Sequence, residues 1–138
     1  MLVKFCLPAL AAALALSVVT PDGALAQSIA KDDDSILAET LHAEADKGNA
    51  RAQYNLGMMY ISGRGVTQDD AQAIAWWRKA AERGDADAEY SLGRMYTGGR
   101  GIAKDRDQAV AWYRKAADQG HGGAQEMLNE MEATGSIK

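Results

Sequence analysis

From Ile36 onward the apolar residues recur at the spacing of helical faces. Ile36, Leu37 and Leu41 make one such face. Ala52, Leu56, Met59 and Tyr60 make a second, at the i, i+4, i+7, i+8 spacing of a buried stripe. Ala73, Trp76, Trp77 and Ala80 make a third and are expected to face inward. The residues between these runs are helix punctuation. The acidic run Asp32-Asp33-Asp34 precedes the first face, so Asp34 or Ser35 is expected to cap that helix. Gly48 suits the left-handed residue that follows a helix, and Asn49 suits the cap of the next one. Gly63-Arg64-Gly65 closes the second helix, Thr67 or Asp69 opens the third, and Gly84 ends it. Ala86 to Thr97, Asp105 to Gln119 and Gly122 to Thr134 continue the pattern. No segment alternates with period two, so β structure is not expected. The pattern predicts an all-α fold of six helices in three antiparallel pairs.

The same residues repeat. Ala45–Ala80 aligns without a gap onto Ala81–Ala116, with 20 of 36 positions identical, and Gly48, Gly84 and Gly120 mark the register. A fixed period of this size signals stacked units that bury a continuous core between neighbours. Such folds present surfaces, which favours binding over catalysis. Positions that stay the same between copies are best explained by packing. Gly57 and Gly93 allow close helix approach, Ala80 and Ala116 are small for the same reason, and Leu56, Leu92, Trp76 and Trp112 fill the interior. Trp77 beside Trp76 is hard to bury simultaneously, so one of the two indoles is expected to be partly exposed.

The run Ala52-x-Tyr54-x-Leu56-Gly57-x-Met59-Tyr60, then Gly63-x-Gly65-Val66, Asp69, and Ala73-x-x-Trp76-Trp77-x-Lys79-Ala80-Ala81-x-x-Gly84 resembles a Sel-one-like repeat (SLR). The second copy keeps Ala88, Tyr90, Leu92, Gly93, Met95, Tyr96, Gly99, Gly101, Asp105, Ala109, Trp112, Tyr113, Lys115, Ala116, Ala117 and Gly120. The resemblance spans roughly Ala43 to Gln125. It implies a small right-handed α-solenoid of antiparallel helix pairs, related to tetratricopeptide repeats, with two full repeats plus degenerate end units. In the third copy Glu126, Asn129 and Glu132 replace Tyr54, Gly57 and Tyr60, the polar outer face that an end helix needs. The resemblance also implies an adaptor role; many exported bacterial members act in envelope signalling or host contact. Placed on the family signature, Arg51, Tyr54, Met58 and Ile61 of the first copy line a protein-binding groove, with Asp87, Tyr90, Arg94 and Thr97 of the second. Tyr, Arg and Met are residue types that anchor interfaces. Tyr54 and Tyr90 are expected to supply contact area, and Arg51 and Arg94 to pair with acidic groups of a partner.

The N-terminal residues read differently. Lys4, the apolar run Phe5 to Val19 and the small-x-small site Ala24-Leu25-Ala26 have the form of a signal peptide cleaved before Gln27. The organisation expected is a leader at 1–26, a flexible lead-in at 27–34, and a repeat domain at 35–138 with units near 49–84, 85–120 and 121–135. An uncleaved leader would make the protein an envelope tether, because the run is short for a span but apolar. Cys6 lies inside the leader, so the mature chain has no cysteine for a disulfide, a thiolate nucleophile or a metal. The leader carries one cation and one anion, so the formal net charge stays at −4. That balance speaks against a nucleic-acid binder and against adhesion to an anionic membrane.

Candidate chemistry is sparse. Ser28-Ile29-Ala30-Lys31 has the Ser-x-x-Lys spacing of penicillin-recognising enzymes but lacks their Lys-Thr-Gly partner and α/β context. His42 and His121 are far apart in sequence, and a zinc site needs three or four converging ligands; His121 fits the cap slot of Asn49 and Asp85. The Gly-Arg-Gly loops follow no strand, so they read as turns and not phosphate cradles. The expectation is therefore a periplasmic or secreted, non-catalytic protein-interaction module without cofactor or metal. A segment of another protein would sit in its groove. Self-association remains a way to lengthen a short groove, and a cell-wall ligand binder or penicillin-interacting enzyme is the alternative of another class.

Overall fold

Six α-helices account for the regular structure of residues 32–137, which the computed structural model describes. They are α1 (Asp33–Asp46), α2 (Ala50–Ser62), α3 (Asp70–Glu82), α4 (Ala86–Gly98), α5 (Arg106–Asp118) and α6 (Gly122–Ala133). There is no strand among the described residues. The chain divides into two units, Met1–Asp32 and Asp33–Lys138; the second is the helical array. The leader with Cys6, its cleavage point and the Ser28-to-Lys31 pattern lie outside the described residues.

Each helix packs on the one that follows it. The connections alternate between three residues (47–49, 83–85, 119–121) and seven (63–69, 99–105), lengths that make sequential helices antiparallel neighbours. Local chemistry sets the boundaries. Asn49, Asp85 and His121 occupy one capping slot and accept from the amides of Ala52, Ala88 and Ala124. Asp69 and Asp105 occupy the other, Asp69 accepting from both Ala71 and Gln72. Gly63 and Gly99 end α2 and α4 with φ of 72° and 67°, a conformation other residues adopt only with strain. α1 begins at Asp33, so Asp34 and Ser35 lie in its first turn and not before it.

The period predicted from sequence governs the packing. α2 and α4 are equivalent, as are α3 and α5, and we call these A-type and B-type helices. By register α1 is a B-type helix and α6 an A-type helix, so two full pairs stand between two single end helices. The core runs through all of them in three clusters, around Leu56 and Trp76, around Trp77 and Leu92, and around Tyr113 and Leu128.

Three expectations are corrected. Trp76 and Trp77 are both buried, 7% and 3% exposed. They can be, because Trp77 lies against Gly57 of α2, where any side chain would occupy the indole's space, and its Nε1 donates to the Tyr54 carbonyl at 3.1 Å. Trp76 turns toward α1, edge-on to His42 at 5.5 Å, with Lys79 Nζ over its face at 4.0 Å. In the second repeat it is Tyr113, at 0% exposure, that fills the interior, whereas Trp112 is half-buried under Lys115. Finally, Ile36 and Leu37 are exposed; α1 buries Ala38 and Ala45 instead.

Candidate protein-binding groove

α2 and α4 lie one period apart, so they present matched positions side by side. Between them is a cavity of about 340 Å³ lined by Tyr54, Met58, Ile61, Tyr90 and Arg94, five of the eight residues expected there. Trp77, Ser91, Met95, Gly98 and Arg100 complete its lining. These five carry little sequence signal of a site. Trp77, Met95 and Arg100 are identical or near-identical between copies and so read as scaffold.

The tyrosines are held, not free. Tyr54 stacks on Trp77 (6.4 Å, 28°), and in the next repeat Tyr90 packs on Tyr113 at 5.8 Å. Burial raises the Tyr54 phenol above its ordinary value, so it is a neutral hydrogen-bonding group at physiological pH. Tyr90 also stacks on His121 at 4.5 Å and 23°. Rings immobilised in this way offer contact area at little further entropic cost. Met58 is 44% exposed at the cavity's edge. Arg94 is exposed, 6.0 Å from the Tyr90 ring, and forms no ion pair among the described residues. Arg100 is committed elsewhere, donating from Nε and Nη2 to Asp70 at 2.7 and 3.0 Å.

Arg51 and Asp87 are paired with each other. Arg51 Nη1 donates to Asp87 at 2.5 Å and lies 3.5 Å from Asp85. His121 Nε2 approaches the other Asp87 oxygen at 3.2 Å. Since His121 Nδ1 accepts the Ala124 amide, Nε2 carries the ring proton toward Asp87; this tautomer is assigned from the hydrogen-bond network. The three residues join the starts of α2, α4 and α6. The hydrogen bond from Arg51 holds the Asp87 carboxyl below the usual carboxylate range. A depressed carboxyl stabilises the fold above its unfolded pKa, and that stabilisation is lost as pH falls through the folded value. Because Arg51 is 59% exposed, it amounts to less than about 1 kcal/mol. Arg51 therefore links neighbouring repeats.

Thr97 also departs from expectation. Its hydroxyl donates to the Gly93 carbonyl at 2.9 Å and meets Tyr113 Oη at 3.2 Å. It lines a second cavity, of about 410 Å³, with Tyr96, Lys104, Arg106 and Met131. Thr97 and Met131 are the period equivalents of Ile61 and Met95 of the first cavity. Both histidines have structural contacts: His121 caps α6, and His42 Nε2 lies 3.2 Å from Tyr60 Oη. No group of three or more potential metal ligands occurs among the described residues, and no helix among them is long and apolar enough to cross a membrane.

Comparison with known proteins agrees with this architecture. Residues 50–85 and 86–121 each match the Sel1 repeat. The chain is similar to the ERAD-associated E3 ubiquitin-protein ligase component HRD3A of Arabidopsis thaliana, with 39% identity over 59 residues, 42% of this chain and 8% of that protein. A Sel1 repeat protein from Oxalobacter formigenes superimposes with a TM-score of 0.73 at 36% identity, covering 77% of this chain and 44% of that one. A protective antigen of uropathogenic Escherichia coli strains displaying an SLR fold gives 0.70 at 39% identity, covering 71% and 21%. The cysteine rich protein B of Helicobacter pylori gives 0.66 at 26% identity, covering 70% and 72%. The chain thus spans under a tenth of its plant relative and less than half of two of these bacterial arrays.

Proposed function

The chain belongs to the Sel1 repeat family, whose members are in general non-catalytic scaffolds for protein–protein interaction, and on that premise we propose that it is an exported adaptor of the periplasm or cell exterior that binds a segment of another protein between α2 and α4. The observation that carries the reading is the cavity where immobilised Tyr54 and Tyr90, exposed Met58 and uncompensated Arg94 converge. Aromatic, Met and Arg side chains on a rigid base are what a protein-binding hot spot requires. An apolar side chain of the bound segment enters between the tyrosines, and an acidic one meets Arg94. The second cavity lets the segment run on past Thr97. Export is supported by the leader-like sequence at 1–26, and a regulatory role in an envelope complex follows the habit of exported relatives.

Pull-down from envelope extract tests this, comparing the parent with a Met58→Asp, Arg94→Glu variant. Both positions are exposed, so the variant keeps its fold, as matching thermal melts would confirm. A protein captured by the parent and lost with the variant supports a groove adaptor. Equal capture by both forms would place the binding surface elsewhere.

A further inference from the structure

Glu89 is 5% exposed and is the one buried carboxyl group among the described residues. It sits in the first turn of α4, and its Oε2 accepts from Gln119 Nε2 at 2.7 Å. One period earlier its place is held by Gln53 of α2, which is also buried. Gln53 Nε2 donates to the Ala45 carbonyl at 3.0 Å and so ties α2 to the end of α1. The Ala45 carbonyl also takes the Gly48 amide at 2.9 Å, and the equivalent Ala81 carbonyl takes the Gly84 amide at 2.9 Å. A carbonyl oxygen has two lone pairs, and at Ala45 the second is used by Gln53. Glutamine is the neutral isostere of a protonated glutamate, with one atom that accepts and one group that donates. An ionised Glu89 can only accept.

The surroundings of the two positions differ in the same direction. Gln53 lines a cavity with Asp46, Glu82, Lys79 and Arg83, two acids and two cations. By register the corresponding groups at Glu89 are Glu82, Asp118, Lys115 and Gln119, and Asp85 caps α4 where Asn49 caps α2. Three acids therefore surround Glu89 with one cation, and Lys115 lies over the Trp112 ring at 4.4 Å. The arginine that would neutralise a carboxylate stands in the repeat that has the glutamine.

We infer that Glu89 is a proton-operated clasp: at mildly acidic pH it takes up a proton and donates it to the Ala81 carbonyl, tying α4 to the end of α3. Gln53 makes the same tie at every pH one unit earlier. Burial disfavours the charged form and holds the Glu89 carboxyl above its ordinary value. Asp85 and Asp118 act in the same direction, while the Gln119 hydrogen bond and Lys115 oppose it. A carboxyl raised in this way stabilises the fold fully below its unfolded value, and that stabilisation is lost as pH rises through the folded one. The Asp87 carboxyl is shifted the other way, so its effect falls below the ordinary carboxylate range and does not overlap. Glu89 does not line the groove between α2 and α4, and the clasp stands without that reading.

Thermal melts of the full chain from about pH 5 to about pH 8 test this, with Glu89→Gln as the comparison. That variant keeps its fold, because Gln53 already fills the equivalent place. Its amide can accept from Gln119 and donate to Ala81 whatever the pH. It should melt at least about 4 °C above the parent at the alkaline end, with the gap closing toward the acidic end. The Glu89 carboxyl carbon, followed by NMR in the parent, should titrate above the ordinary glutamate value. Copying the site into the first repeat, by Gln53→Glu with Arg83→Gln, should add a second acid-favoured rise in Tm. Gln53→Glu alone, left beside Arg83, should not. A gap between the parent and Glu89→Gln that stays constant with pH overturns the inference. So does a Glu89 carboxyl that titrates at or below its ordinary value.

Discussion

A Cβ atom added at Gly93 would come within 2.5 Å of the Tyr113 ring, and one at Gly57 would fall inside the Trp77 indole. Neither glycine has a positive φ, so their conservation between copies is steric and not conformational. Alanine would gain about 0.5–1 kcal/mol of helix stability at either position. Forcing a buried aromatic ring aside costs about 1–3 kcal/mol, so the steric term wins. Gly57→Ala is therefore expected to destabilise the fold by about 1 kcal/mol, read as a lower urea midpoint at unchanged slope. A raised midpoint would show that the indole has room to move. The same contact fixes the floor of the groove, since Tyr54 stacks on the ring that Gly57 admits.

Helices in this chain begin where a short polar side chain can take an orphan amide, and two such slots alternate down the array. Asp69 takes two amides at the start of α3, and Asp69→Ala should cost about 1 kcal/mol. Asp69→Asn should recover most of it, in thermal melts followed by circular dichroism. These slots, the glycine stops and the element count were legible in the sequence because each depends on residues within one turn. What depended on a different helix was not. Whether Trp76 and Trp77 could both be buried was decided by Gly57, some 20 residues away. Arg51 and Asp87 differ between copies, as recognition residues would, but stacking brings them together as a clamp. That Tyr54, Met58, Ile61, Tyr90 and Arg94 line one cavity was legible, since family register alone places them on adjoining A-type helices. Its lining by Trp77 and Arg100 was hidden because Arg100 repeats Arg64 and Trp77 is matched by another aromatic, Tyr113.

Across the whole array the same ionic contact recurs at one-period spacing. Arg64 pairs with Asp34 at 2.7 Å, and 36 residues later Arg100 pairs with Asp70 at 2.7 Å. Each pair is exposed and individually weak, yet it locks a loop to the start of the preceding B-type helix in a fixed register. One period further on, Arg106 and Ser136 occupy these positions and the series stops. Stability in such arrays is approximately a sum of units and nearest-neighbour interfaces. Deleting Asp85–Gly120, which joins Gly84 to His121, should therefore leave a helical protein that still unfolds cooperatively, at a lower urea midpoint. Loss of cooperative unfolding would show that the two repeats are not interchangeable.

The recurring Arg–Asp contact also bears on how such a gene can change. The first full repeat carries both the arginine that grips the unit before it, Arg64, and the aspartate that is gripped by the unit after it, Asp70. An in-frame tandem duplication, of the kind that unequal recombination produces between similar stretches of DNA, would thus insert a unit already able to join both neighbours. A longer array built this way would need no compensating substitution at these contacts.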